Sequence, residues 1–167
     1  MRIYLVRHSD AVDRVPGMPD AARYLSAGGR ASFREMARRF RDAGGLPARI
    51  FTSPFVRAVQ TAEILSEALQ YIGEVAVAPQ LVPGFDVEGL DAVLDVCPDA
   101  REVALIGHEP DLGRVLTSLL SLETPYSMRK GDIAALDLPI GGNPLRPKLA
   151  WLLTGDRRIE DPAMLVT

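Results

Sequence analysis

The 167-residue sequence has little cysteine, little histidine and no long hydrophobic run. Its one cysteine, Cys97, excludes an internal disulfide and predicts a cytoplasmic protein, because disulfides persist mainly in oxidising compartments. No apolar run is long enough to cross a bilayer, and the first residues do not resemble a secretory signal, so no membrane association is expected. The formal net charge of -3 argues against nucleic-acid binding through bulk electrostatics.

The first of the two histidines follows a hydrophobic run at the start of the chain. Residues 3–6 read Ile-Tyr-Leu-Val, which is typical of a buried strand, and Arg7 and His8 come directly after them. In open α/β sheets, ligands bind beyond the carboxyl ends of the strands. Arginine offers a fork of donors that fits phosphate or carboxylate, and a neutral imidazole has a lone pair that can attack phosphorus. Alone, the Arg-His pair also fits a solvated strand end.

The second histidine has the same setting. Residues 102–106 form another apolar run, and this run ends at Gly107 and His108. Both histidines of the chain thus stand one or two residues beyond a predicted strand, where random placement would seldom put them. Two strands therefore each deliver a histidine to the edge where ligands are expected.

A third motif lies between the two histidines. Residues 50–53 predict a strand edge, Pro54 suits the first turn of a helix, and helical spacing continues through residues 55–62. Arg57 then lies in the first turn of that helix, where its charge adds to the positive end of the helix dipole. The three motifs together predict a site for an anion.

Alternating strand and helix signals predict an α/β fold. We expect one domain, residues 1–167, in which helices flank a central, mostly parallel sheet. The predicted strands are residues 2–6, 49–53, 74–78, 102–107, 133–138 and 148–153, and the predicted helices are residues 27–42, 54–71, 87–95 and 110–121. Ser26 is the expected cap of the first helix, and residues 139–147, rich in glycine and proline, are expected to form a hairpin loop.

The three motifs resemble those of the histidine phosphatase superfamily. Leu-Val-Arg-His at residues 5–8, Ser-Pro, Arg-Ala and Gln-Thr-Ala within residues 53–62, and Gly-His at residues 107–108 occur in the order of that family. Residues 81–87 make the chain most similar to the short SixA-type phosphohistidine phosphatases, which carry little beyond the common core. The resemblance implies a phosphoglycerate mutase-like fold and a phosphatase that needs neither cofactor nor metal.

The resemblance also implies roles for the matching residues. His8 is the nucleophile that forms a covalent phosphohistidine intermediate, while Arg7, Arg57 and His108 hold the phosphoryl oxygens. Phosphoryl-transfer chemistry agrees, because two arginines and a protonated imidazole can position and stabilise the transferring group. Three further residues of the motifs are predicted to contact the substrate: Ser9, which stands where the family commonly has glycine, Ser53 and Glu109.

One residue of the family pattern is missing. Members that act on alkyl phosphates commonly carry a glutamate general acid two residues after a leucine, but here Leu81 is followed by Val82 and Pro83. An alkoxide leaving group needs a proton donor, whereas imidazole, with a pKa of about 6.5, leaves far more readily. Phosphohistidine on a protein is therefore the preferred substrate, with Asp86 and Glu88 as possible acids.

Two other functions stay open at this point. A small-molecule phosphomonoesterase would use Asp86 or Glu88 as its acid, and a non-catalytic module would bind phosphoproteins without turnover. The expected partner is accordingly a phosphorylated protein, such as a phosphotransfer domain, or a small phosphate ester. The chain is expected to be a monomer, because no heptad pattern appears.

Two surface features accompany these motifs. Residues 13–20, with Arg23 and Tyr24, are candidates for the mouth of the pocket, since loops near a site often frame it. Helical spacing also predicts a basic stripe, which is either a docking site for an acidic partner or a solvated face: Arg30, Arg34, Arg38 and Arg41.

Overall fold

Seven strands form one sheet with helices on both faces in a computed structural model that describes residues 1–139 and 146–165. The strands are β1 (Arg2–Arg7), β2 (Arg49–Thr52), β3 (Val75–Val77), β4 (Glu102–Gly107), β5 (Ile133–Asp137), β6 (Lys148–Thr154) and β7 (Arg157–Ile159). The α-helices are α1 (Ala27–Asp42), α2 (Val56–Leu69), α3 (Val87–Leu94) and α4 (Asp111–Leu120), and short 3-10 helices span Asp20–Ala22, Pro79–Leu81 and Pro162–Met164. No α-helix in these ranges is long and apolar enough to span a membrane.

The sheet has the strand order β3-β2-β4-β1-β5-β6-β7. The predicted α/β class is confirmed, but the sheet is parallel only from β3 to β1, whereas β5, β6 and β7 pair in antiparallel fashion. Only two residues, Gly155 and Asp156, separate β6 from β7, and so short a link can join antiparallel neighbours alone. β7 was not predicted, because two of its three residues are exposed arginines.

The six predicted strands and four predicted helices are present, and every end lies within two residues of its predicted position. The largest shift is at α2, which begins at Val56 because Phe55 keeps an extended backbone with φ −69° and ψ 133°. Most of the predicted hairpin loop falls on residues 140–145, which lie outside the described residues.

The first turn of α1 packs against the segment that follows β1. The Ser26 side chain accepts a hydrogen bond from the Gly29 backbone N–H at 2.9 Å, which confirms the predicted cap. A Cβ atom at Gly29 would lie 2.0 Å from the Asp10 carbonyl oxygen, so only glycine allows this approach. The helix thereby closes over the chain immediately beyond His8.

The centre of the sheet is buried on both faces. Ile3 and Leu5 of β1 belong to the apolar layer under α3 and α4, while Tyr4 and Val6 belong to the layer under α1 and α2. Such double burial explains the unbroken apolar run at the start of the sequence. A continuous hydrophobic strand of this kind holds the residue at its carboxyl end in a fixed place.

Three adjacent parallel strands end at the same edge of the sheet. Arg7 of β1 pairs with Gly107 of β4, and the His8 N–H continues the ladder by donating to the Gly107 carbonyl at 3.1 Å. On the other side of β4, the Ser53 N–H donates to the Ile106 carbonyl at 2.9 Å. The residues that follow β1, β2 and β4 are therefore brought together.

Candidate active site

The two histidines of the chain meet at this edge. The ring centroids of His8 and His108 are 5.1 Å apart, and both residues are more than 90% buried. Arg57, from the first turn of α2, donates from Nε to His8 Nε2 at 3.1 Å. The structure thus gathers residues that the three sequence motifs supply, although they are up to 100 positions apart.

Hydrogen bonding fixes the tautomer of His8. Its Nδ1 lies 2.7 Å from the Ser9 carbonyl oxygen, and because a carbonyl can only accept, Nδ1 carries the proton. Nε2 therefore bears the lone pair, in agreement with the hydrogen bond that it accepts from Arg57. The ring presents a nucleophilic nitrogen beside a permanent cation.

Arg57 is held on its outer edge by Asp20. Nη1 donates to the Asp20 carbonyl at 2.7 Å and Nη2 to the Asp20 carboxylate at 2.9 Å. The guanidinium carbon also lies 4.9 Å from the centre of the Phe55 ring, within cation–π range. These contacts leave the Nε side of the fork directed at His8.

Arg7, the last residue of β1, has hydrogen-bonding capacity to spare. Nη1 donates to the Met128 carbonyl, while Nε is buried without a partner among the described protein atoms. Burial lowers the pKa of Arg7, and the charges of Glu109 and Asp132 oppose that shift. A guanidinium stays protonated at physiological pH regardless, so Arg7 supplies a charge and a free donor.

His108 contacts Ser53 and Phe55. Its Nε2 lies 2.8 Å from Ser53 Oγ, which in turn accepts from the Phe55 N–H at 3.3 Å. The Phe55 ring packs 4.9 Å from the imidazole, centroid to centroid. Nδ1 of His108 is buried and has no partner among the described protein atoms. One nitrogen is thus anchored, and the other has an unsatisfied hydrogen-bonding capacity.

Burial and neighbouring cations keep both imidazoles neutral. Burial is the largest cause, and with Arg57 and Arg7 it lowers the pKa of His8 to about 4. Burial also dominates at His108, where the charges of His8 and Arg57 help to lower the pKa to about 3. The expected protonated imidazole at position 108 is therefore not the form that the surrounding protein groups favour. The two arginines outweigh the Asp20 carboxylate in this field.

The other predicted contacts are more dispersed. Ser9 Oγ donates to the Gly29 carbonyl at 2.9 Å, so the hydroxyl faces α1, while the Ser9 carbonyl holds His8. Ser53 reaches the cluster through its bond to His108. Glu109 is half-buried and accepts from the Gly113 N–H at 3.0 Å; burial raises its pKa, and the charge of Arg7 opposes the rise.

Asp86 and Glu88 are not brought into the cluster. The Asp86 carboxylate caps α3 by accepting from the Gly89 N–H at 2.9 Å. Both residues are exposed, and they line a separate surface cleft with Arg114 and Ser118. Within the described residues, no hydrogen bond or ion pair joins either carboxylate to His8, Arg57 or His108.

Sequence reasoning missed two members of the site. Asp20 fell within the segment expected to frame the pocket mouth, yet nothing in the sequence pairs it with a residue 37 positions away. Thr61 Oγ1 accepts from the Ser9 N–H at 3.3 Å and steadies the turn that holds His8. In residues 1–139 and 146–165, no group of three or more His, Cys, Asp or Glu side chains is suited to hold a metal ion.

Known proteins are similar to this chain in sequence and in fold. A profile of the histidine phosphatase superfamily (branch 1) matches residues 3–83. The phosphohistidine phosphatase SixA of Escherichia coli K12 is 30% identical over 145 residues, which cover 86% of this chain and 89% of that protein. The chain belongs to the histidine phosphatase superfamily. Within it, the chain is of the SixA type.

Two further similar proteins, one compared by sequence and one by structure, agree with this family assignment. An uncharacterised protein of Picosynechococcus is 34% identical over 145 residues, covering 81% of this chain and 84% of that protein. The structure of the protein histidine phosphatase SixA complexed with tungstate superposes with a TM-score of 0.81 and 28% identity, over 92% of this chain and 97% of that one. The phosphoglycerate mutase-like fold expected from the sequence is confirmed.

Proposed function

We propose that this phosphatase hydrolyses phosphohistidine on a protein through a covalent intermediate on His8, without a metal ion. The observation that carries the proposal is the lone pair on His8 Nε2. The ring proton is held on Nδ1 by the Ser9 carbonyl, and the Arg57 Nε lies 3.1 Å from Nε2. A site that only bound phosphate would have no need of an oriented nucleophile.

The reaction has two displacement steps. In the first, the His8 Nε2 lone pair forms a bond to phosphorus while the bond from phosphorus to the substrate imidazole nitrogen breaks. That nitrogen keeps the electron pair, and because the other nitrogen of the substrate ring carries a proton, the ring leaves as neutral imidazole. In the second, water forms a bond to phosphorus, the Nε2–phosphorus bond breaks, and inorganic phosphate leaves with neutral His8 restored. One water proton remains on the phosphate, and the other is released to solvent.

The arginines stabilise the charge of the transferring group. Arg57 directs Nε at the attacking nitrogen, and Arg7 adds a half-buried guanidinium with an unpartnered Nε. Donors already held in place cost no reorganisation during the reaction and act strongly where water is excluded. A phosphoryl dianion beside His108 brings a negative charge, which raises the pKa of that imidazole and favours its protonated form.

The leaving group accounts for the substrate class. Asp86 and Glu88 lie on another cleft, so neither stands beside Nε2 to protonate an alkoxide. An imidazole leaving group needs no such acid, because a phosphohistidine ring protonated on its other nitrogen departs as neutral imidazole, which is stable near pH 7. The SixA relative is itself described as a phosphohistidine phosphatase, which adds support for the same substrate in this chain.

The partner is then a phosphorylated protein, with a phosphotransfer domain as the candidate, encountered in the cytoplasm. Binding through the basic stripe of α1 is a weaker element of this proposal. Arg38 forms an ion pair with Glu35, and Arg41 Nη2 lies 3.2 Å from Asp42 Oδ1. These neighbouring carboxylates offset part of the positive charge of the stripe. Exposed pairs of this kind are typical of a solvated face.

Comparative hydrolysis tests the proposal. A protein carrying phosphohistidine, p-nitrophenyl phosphate and several alkyl phosphates would be offered to the wild type and to His8→Ala, with chelator present. We expect preferential turnover of phosphohistidine, unchanged by the chelator and absent in His8→Ala. Glu88→Gln is the matched control and should behave like the wild type.

Other outcomes would identify the competing functions. Faster turnover of an alkyl phosphate, reduced in Glu88→Gln, would mean that a carboxylate supplies a proton and would favour a small-molecule phosphomonoesterase. Tight binding of phosphohistidine with no turnover of any ester or phosphoramidate would favour a phosphoprotein-binding module.

A further inference from the structure

The Asp20 carboxylate collects three arginines at the mouth of the site. Its oxygens lie 2.9 Å from Arg57 Nη2, 3.0 Å from Arg23 Nη1 and 3.2 Å from Arg14 Nε. Its backbone carbonyl accepts from Arg57 Nη1 at 2.7 Å. Asp20 thus provides two separate acceptors to one guanidinium, and no other residue of the described chain does so for Arg57.

Because the guanidinium is rigid, these contacts fix its orientation. The group is planar, with five N–H donors in a fixed fork, so holding Nη1 and Nη2 also fixes the direction of the Nε–H bond. That bond points at His8 Nε2, 3.1 Å away. A long side chain that could otherwise adopt many rotamers is therefore held with one edge towards the nucleophile.

Asp20 is chemically suited to holding a cation and unsuited to donating a proton. Burial alone would raise the pKa of this carboxyl group, but the hydrogen bonds from Arg23 and Arg57, with the charges of Arg57 and Arg14, outweigh burial and lower it to about 2. The group is ionised throughout the physiological range, so it has no proton to give to a leaving group. Its contribution is geometric and electrostatic.

We infer that Asp20 is a positioning residue that aims the Nε edge of Arg57 at the phosphoryl group on His8. The inference rests on the proposed function, in which that nitrogen is phosphorylated. It adds a residue that acts through Arg57 and does not itself touch the substrate. The short 3-10 helix Asp20–Ala22 is then part of the catalytic framework, since it carries both acceptors.

A double-mutant cycle separates this role from simple support of the loop. Asp20→Ala should lower kcat by about 10- to 100-fold, the cost typical of a misplaced catalytic group, with a smaller change in KM. In an Arg57→Ala background the same substitution should cause little further loss, because the group that Asp20 aims is gone. Asp20→Asn retains an oxygen acceptor for Nη2 and should recover most of kcat.

Two controls complete the cycle. Arg158→Ala removes an exposed ion pair with Glu160, neither residue being a partner of Asp20 in the described chain, and should leave kcat unchanged. The exchange rate of the Arg57 Nε proton, followed by NMR, reads the aim of the guanidinium without turnover. We expect Asp20→Ala to accelerate this exchange and Asp20→Asn, which also serves if the alanine variant fails to fold, to accelerate it less.

Several results would overturn the inference. Equal losses of kcat in the two backgrounds would make Asp20 a support for the loop alone, as would unaltered exchange of the Nε proton in Asp20→Ala. Loss of the proposed function has a different signature, because turnover would then survive in His8→Ala while the Nε exchange still reported whether Asp20 holds Arg57.

Discussion

β1 carries an arginine at each end, and the two differ in how far their hydrogen bonds are satisfied. Arg2 forms a two-pronged ion pair with Asp137, at 2.8 and 2.9 Å, and this hydrogen bonding raises its pKa. Arg7, five residues on, has a buried Nε without a described partner, and burial lowers its pKa. A charge whose hydrogen bonds the fold satisfies serves structure, whereas a half-buried charge with an unpartnered donor is a candidate to bind a ligand.

The same contrast holds for the carboxylates. Asp137 is half exposed and pairs with a surface arginine across the sheet, while Asp20 holds an almost fully buried arginine that faces His8. Substitutions of the arginines at the two ends of β1 can test whether the arginine with satisfied hydrogen bonds serves stability and the other serves catalysis.

The largest expected difference is between Arg7→Ala and Arg2→Ala. In the proposed mechanism, removal of Arg7 takes away a donor to the transferring phosphoryl group and should lower kcat/KM by about 100- to 1,000-fold. Removal of Arg2 breaks an exposed ion pair and should cost about 1 kcal/mol of unfolding free energy or less, with kcat/KM unchanged. Steady-state kinetics and urea unfolding of both variants measure the two effects. Similar kinetic losses in the two variants would remove the distinction between the ends of β1.

A smaller effect concerns the two imidazoles, which NMR can follow without ambiguity because the chain has only two histidines. With pKa values of about 4 and about 3, neither ring should titrate between pH 8 and about 5.5. Phosphate or tungstate at saturating concentration should move the titration of at least one ring upwards. A midpoint near the ordinary histidine value in the free protein would contradict this account of the field.

These depressed pKa values also make stability depend on pH. Between about pH 4 and 6.5 the unfolded chain binds protons that the native rings do not, so the unfolding free energy should fall as the pH is lowered through that window. Asp132 opposes the trend, since burial raises its pKa to about 6. The decisive quantity is therefore the difference in unfolding free energy between wild type and His108→Gln. On acidification, the unfolding free energy of His108→Gln should fall less than that of the wild type.

The smallest effects are expected at the carboxylates outside the cluster. Asp86→Ala should cost about 1 kcal/mol of unfolding free energy through loss of the α3 cap, while Asp86→Asn, which keeps an acceptor, should cost less. Neither Asp86→Asn nor Glu88→Gln should alter turnover of phosphohistidine. A tenfold loss of kcat in either variant would show that the α3 cleft takes part in the reaction.

The parts of the site that could be predicted from sequence are those set by strands. His8 and His108 follow apolar runs whose burial on both faces leaves a plain signal. Arg57 follows a strand edge, although Pro54, expected in the first turn of the helix, lies two residues before α2 begins. Position at the end of a buried strand is therefore readable from local pattern.

The parts that could not be predicted depend on contacts between distant segments. Asp20 meets Arg57 only after the sheet forms, and Ser9 turns its hydroxyl to Gly29 because α1 closes over the loop. The neutral state of His108 likewise follows from burial beside two arginines that come from different elements. β7 escaped prediction for another reason, since its short, arginine-rich sequence has no apolar alternation.

The most direct test of the account is the location of the phosphoryl group during turnover. The protein would be mixed with a phosphohistidine-bearing substrate in the presence of chelator, quenched in alkali, under which a nitrogen–phosphorus bond survives, and mapped by mass spectrometry. We predict phosphate on His8 and on no other residue of the phosphatase, with none retained in the His8→Ala variant. Phosphate on His108 or on a carboxylate, or steady hydrolysis with His8 never modified, would contradict the central claim that His8 Nε2 is the nucleophile.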